Sequence, residues 1–147
     1  MTATRTAWLR WTVEPIDRHR LVTILGTVGL VTGVLMATLG LPPVDLHGPL
    51  HHVGIMDPFC GGTRAAYYTL RGQGVQAWRY NPLGLLAVLA ASVAVARAAA
   101  GLLTRRWMNI TMIWSPPRRR VLVAVIVVTA AALEVRQQMI APLLMTR

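Results

Sequence analysis

Three long apolar stretches constrain this 147-residue chain more than any other feature. Leu21 to Leu41 carries no charge, Leu83 to Leu103 is interrupted only by Arg97, and Val121 to Leu133 opens a third run. At ~1.5 Å per helical residue, the first two match a bilayer hydrocarbon core of ~30 Å. The third reaches that length if its helix continues through Glu134, Arg136, Gln137 and Gln138 to about Ile140. A chain with 54% hydrophobic and 14% charged residues is also too apolar for an ordinary soluble domain. The expected fold is an all-α integral membrane protein, a single membrane domain of three transmembrane helices with two short interfacial helices in its first, outer loop. Its expected parts are a cytoplasmic interfacial segment (1–20), spans at 21–41, 82–104 and 121–143, an outer loop (42–81) and a cytoplasmic loop (105–120).

The formal net charge of +10 raises the question of nucleic acid. The positions of the arginines answer it. Arg18 and Arg20 precede the first run, Arg105 and Arg106 follow the second, and Arg118 to Arg120 precede the third, as expected of helices anchored beside anionic lipids. The expected partners are therefore a bilayer with anionic lipids and other membrane protein subunits, with no nucleic acid. The outer loop holds only Arg64, Arg71 and Arg79 in a longer stretch, which places the N-terminus in the cytoplasm and the C-terminus outside. Trp8 and Trp11, and the segment from Trp107 to Trp114, read as interfacial pieces on the cytoplasmic face. The first run ends at Gly40-Leu41-Pro42-Pro43 without a small-x-small cleavage pattern, so it reads as a retained span.

Small residues follow helical spacing in two of the spans. Gly26, Gly29, Gly33, Ala37 and Gly40 form one ridge, containing the close-approach pattern Gly29-x-x-x-Gly33. Ala87, Ala91, Ala94, Ala98 and Gly101 form another, and the two are expected to face each other. Asn81-Pro82 is a helix start: Asn caps free N–H groups, and Pro at the first position forfeits no needed donor. Arg97 reads as an interfacial anchor.

The polar chemistry gathers in the outer loop. Asp45, His47, His51, His52, Asp57 and Cys60 are all metal-ligating types, and His47, His51, His52 and Cys60 form the candidate metal set, although their spacing matches no strong motif. Cys60 is the single cysteine, so no internal disulfide forms. It precedes Gly61-Gly62-Thr63, where Thr63 is placed to cap a short helix from Arg64 to Arg71 closed by Gly72. A thiol at a helix N-terminus can be acidified, whereas a buried one is inert. The same turn offers N–H groups and a guanidinium to an anion such as a lipid phosphate. Glu134 is costly inside a bilayer unless paired, and Arg64 or Arg71 is its expected partner.

The run Asp57-Pro58-Phe59-Cys60-Gly61-Gly62-Thr63-Arg64-Ala65 resembles the bacterial domain-of-unknown-function 2752 family, small membrane proteins with a Cys-Pro-x-Cys-Gly-Leu-Thr-Arg core. The likeness continues through Leu70-Arg71-Gly72 and Trp78-Arg79-Tyr80-Asn81-Pro82-Leu83, covers roughly Pro42 to Gly101, and includes Arg136-Gln137 as a counterpart of a later Arg-Asn. Asp57 stands where the family has its first cysteine and Gly62 where it has Leu. A two-cysteine site is thus not carried over, while Cys60, Gly61, Thr63, Arg64, Asn81 and Pro82 are; Asp57 and Pro58 count with these as motif and structural residues. The resemblance implies a membrane protein with an outward hairpin and brings no activity with it; the expected location is the bacterial plasma membrane. The expected function is non-enzymatic and cofactor-free, an accessory or scaffolding subunit of a larger membrane complex, with an outer-face metal- or thiol-bearing site as the alternative.

Overall fold

A computed structural model of the chain describes residues 9–41 and 54–145. The order of elements is β1 (Leu9–Glu14), α1 (Arg20–Leu39), α2 (Gly62–Leu70), α3 (Gly74–Tyr80), α4 (Pro82–Thr104), β2 (Trp107–Met112), α5 (Pro116–Met139) and α6 (Ala141–Met145). Helices α1, α4 and α5 are each long and apolar enough to cross a membrane. They run between two ends. At the sheet end lie β1 and β2; at the loop end lie α2, α3, α6 and the turns joining them.

Helix α4 is the spine of the fold, packing against α1, α2, α3 and β2. Its small residues make this possible. A Cβ at Gly26 of α1 would lie 3.1 Å from Ala94 Cβ, so the two ridges do face each other, at Gly26 and Ala91/Ala94. Gly29 faces open space, and the close approach at Gly33 is to Leu70 of α2. The Gly29-x-x-x-Gly33 pattern therefore does not form the α1–α4 contact. Two further notches sit near the ends of α4. At Gly84 a Cβ would come within 2.6 Å of the Gly62 carbonyl, and at Gly101 within 2.5 Å of the Trp107 ring. Glycine lets α2 lie on the first turn of α4 and lets an indole close its last turn.

The expectation of an all-α chain is corrected by a two-stranded antiparallel sheet. Strand β1 pairs with β2 in the register Leu9↔Met112 through Glu14↔Trp107. Both segments are rich in β-branched and aromatic residues, which suit a pleated surface. As separate sequences they read as interfacial pieces; paired, each satisfies the other's backbone groups. Asn109 fixes the join to α1: its Nδ2 donates to the Ile16 carbonyl at 3.0 Å and its Oδ1 accepts from the Arg18 N–H at 3.2 Å. The Ile110 N–H donates to His19 Nε2 at 3.1 Å.

Helix α5 starts at Pro116, so Arg118, Arg119 and Arg120 lie within its first turns instead of in a preceding loop. Its only buried residues are Leu133 and Gln137, near its far end. Along the rest of its length it makes no extensive contact with α1 or α4.

Candidate functional site

Of the polar residues singled out in the sequence, the loop end gathers Asp57, Cys60, Thr63, Arg64, Arg71 and Asn81. The Asp-Pro-Phe-Cys segment is a tight turn, with Asp57 Oδ1 accepting from the Phe59 N–H at 2.7 Å and the Asp57 carbonyl accepting from the Cys60 N–H at 3.1 Å. Gly61 then adopts φ +78°, a left-handed conformation that glycine tolerates, and serves as the N-cap of α2. Thr63 sits inside the first turn of α2, and no side chain caps that helix. The expected Thr63 cap is thus replaced by a glycine turn. At its other end α2 closes as expected, with Gly72 at φ +72°.

Asn81 is the hub of this end. Fully buried, it donates from Nδ2 to the carbonyls of Pro58 and Cys60, each at 2.9 Å, and accepts the Leu83 N–H at 2.8 Å. One amide thereby caps α4 and holds the Asp57–Cys60 turn against it. Pro82 is the first residue of α4 and is buried.

The C-terminal part of α5 is fastened to this hairpin. Arg136 donates to the carbonyls of Trp78 at 2.7 Å and Arg79 at 3.1 Å, and buried Gln137 donates to the Tyr80 carbonyl at 3.1 Å. These are the free carbonyls at the C-terminus of α3, where a cation is also favoured by the helix dipole. Gln138 reaches the other side of the loop, donating to the Gly54 carbonyl and accepting the Met56 N–H, both at 3.0 Å. Leu144 of α6 packs with Met56 and Cys60 in a small buried core.

The expected pairing of Glu134 does not form among the described residues. Arg64 instead donates to the Leu144 carbonyl at 3.5 Å and lies over the Tyr80 ring, which stacks on Tyr68. Arg71 donates to Tyr67 Oη at 3.0 Å and to the Ala37 carbonyl at 3.4 Å, tying α2 to α1. Glu134 is exposed. Sequence reasoning chose the acidic residue of α5 as the fastening, but the acceptors at the end of α3 are backbone carbonyls, and these call for the donors of Arg136 and Gln137.

Cys60 is buried, with Sγ 3.5 Å from Met56 Sδ. Burial, and then the negative charge of Asp57, push its thiol pKa up from the ordinary value. This is the opposite of an activated helix-terminal thiolate. Among the described residues no group of three or more His, Cys, Asp or Glu side chains is placed to hold a metal ion. Asp45, His47, His51 and His52 lie outside the described residues.

A second polar cluster, which the sequence reading did not assemble, locks the sheet end. Arg97 donates to Asp17 Oδ1 at 2.8 Å, to Thr23 Oγ1 at 2.6 Å and to the Met108 carbonyl at 3.0 Å, and it lies over the Trp107 ring. Asp17 also accepts from the His19 N–H at 2.9 Å and the Thr23 hydroxyl at 2.8 Å. The arginine expected to reach toward lipid headgroups thus turns inward to join α4, α1 and β2. Burial alone would raise the Asp17 carboxyl, but Arg97, Thr23 and the His19 N–H outweigh it and hold the pKa below the usual carboxylate value.

Residues 49–95 match the model of a family described as a protein of unknown function (DUF2752). The match supports the family assignment over about a third of the chain, from the loop through α2 and α3 into α4. The two-cysteine core is not present, Cys60 being the one cysteine. No curated protein and no solved structure gives a significant match. The matched span contains the hairpin and its Asn81 hub, while Arg136, Gln137 and Gln138, which pin it, lie beyond. With its three apolar helices, the chain is compatible with a multi-pass membrane protein.

Proposed function

We propose that this chain is a small, non-enzymatic multi-pass protein of the bacterial plasma membrane and acts as an accessory or scaffolding subunit of a larger membrane complex. The observation that carries this reading is α5. It is tied to the hairpin by its last turns, yet Val121 to Val128 are left without packing by α1 or α4. Transmembrane helices associate through close packing, and a subunit that leaves one span unpacked offers it to a neighbouring helix. The polar groups of the hairpin support the same reading, because Asn81, Arg136, Gln137 and Gln138 are committed to backbone partners. Arginine placement supports a cytoplasmic sheet end and an outer loop end, with Arg105, Arg106 and Arg118 to Arg120 all near the former. Cell-surface labelling of a tag after residue 147 checks that orientation. The alternative, an outer-face thiol or metal site at Cys60, is disfavoured by the buried, raised-pKa thiol.

The test is a photo-crosslinker at Val125, which is 56% exposed, with one at Val28 of α1, 58% exposed, as control. Capture of one stoichiometric membrane protein from Val125 and not from Val28 is the expected result. Crosslinking to lipid alone at both positions, or a partner-free protein that purifies with bound metal, overturns the proposal.

A further inference from the structure

The sheet-end half of α5 combines charge and apolar surface in a way the rest of the fold does not use. An open groove of about 880 Å³ runs along it, with Trp114, Pro116, Arg119, Arg120, Val123 and Val127 among its lining residues. Pro116, Arg120, Val123 and Val127 follow one helical face, so guanidiniums stand at one end and aliphatic side chains continue from them. At ~100° per residue, Arg136 lies roughly opposite Arg120 on the helix. The groove therefore opens away from the face that grips the hairpin.

The electrostatics of this end lack a counterpart. The first turns of α5 contain three consecutive arginines and no acidic residue, at the end of a helix where the backbone dipole already favours negative charge. Arg118 is directed to the Ile113 carbonyl at 3.2 Å. Among the described residues, no hydrogen bond or ion pair engages the guanidinium of Arg119 or Arg120. Trp114, 55% exposed, stands beside them, a residue type that settles at headgroup level. A cationic mouth leading into an apolar groove complements an amphiphile with an anionic head and a hydrocarbon tail. Inorganic phosphate would use the mouth and leave the valine wall uncovered.

We propose that this groove is a specific site for one anionic phospholipid, with its phosphate on Arg119 and Arg120 and an acyl chain along Val123 and Val127. The site rests on α5 crossing the bilayer and does not depend on the accessory-subunit reading. The full chain, purified in mild detergent, is titrated with phosphatidylglycerol, phosphatidylcholine or inorganic phosphate and followed by native mass spectrometry, with circular dichroism reporting the fold of each variant. Phosphatidylglycerol is expected to bind one per chain, and phosphatidylcholine far more weakly. Arg119→Gln with Arg120→Gln should weaken phosphatidylglycerol roughly 30-fold, whereas Arg105→Gln with Arg106→Gln, equally basic but outside the groove, should change it by no more than about twofold. Val123→Trp, which fills the apolar wall without altering charge, should weaken it as well. Equal losses in both double variants would reveal diffuse surface attraction and overturn the proposal. So would unchanged binding in Val123→Trp, or inorganic phosphate competing as well as the lipid, which would mark a bare anion site.

Discussion

At the scale of single residues, the hairpin depends on Asn81 because an amide is both donor and acceptor. Its Oδ1 serves the first turn of α4 while its Nδ2 satisfies the carbonyls of Pro58, partly buried, and Cys60, buried. Asn81→Ala removes the cap and strands both carbonyls, a loss of ~2–4 kcal/mol by the usual cost of unmade buried hydrogen bonds. Asn81→Asp keeps the cap acceptor but turns an oxygen on the same carbonyls, so it should be at least as damaging. Thermal unfolding in detergent measures both, and wild-type stability in either variant would refute the hub role. Asp17 gives a pH-dependent counterpart. Its folded pKa is depressed, so its contribution is fully present above the ordinary carboxylate value of 3.8 and is lost as pH falls through the lower folded pKa. Asp17→Asn should therefore be less stable than wild type by ~1–3 kcal/mol at neutral pH, and the gap should close as the pH is lowered below about 4.

At the scale of elements, helix contacts are decided by which small residue meets which neighbour. Gly84→Ala would force a methyl group against the Gly62 carbonyl, a backbone atom that cannot rotate aside. Overpacking of this kind costs ~1–3 kcal/mol. Gly29→Ala meets nothing within 4 Å and should be neutral or slightly stabilising, since Ala favours helix by up to ~1 kcal/mol. If the two substitutions shift the unfolding temperature alike, the notch at Gly84 does not position α2. Both glycines follow helical spacing in apolar runs, and their sequences do not distinguish them. Helix starts were more legible. Asn81-Pro82 opens α4 as read, because capping is local and depends on residues two positions apart. The start of α2 was misread at Thr63, since the left-handed Gly61 already turns the chain.

At the scale of the whole molecule, α5 is a helix of spanning length held by its last turns at the loop end. Arg136→Gln removes the charged donor from the carbonyls of Trp78 and Arg79. Amide exchange should then rise at the C-terminus of α3 and in residues 133–139 of α5, while α1 and the first turns of α5 stay unchanged. Uniform acceleration would instead mean global destabilisation. The sequence by itself determined three spanning-length helices, a Gly- and Pro-marked hairpin between the first two, and the start of α4, because hydropathy, capping and turn chemistry act over a few residues. Only the tertiary structure decided that residues 9–14 and 107–112 pair as strands, that Arg97 turns inward to Asp17, and that Arg136 rather than Glu134 fastens α5. Each of those contacts joins segments more than fifty residues apart, where the partner of a donor or a strand edge is chosen by the path of the chain in space.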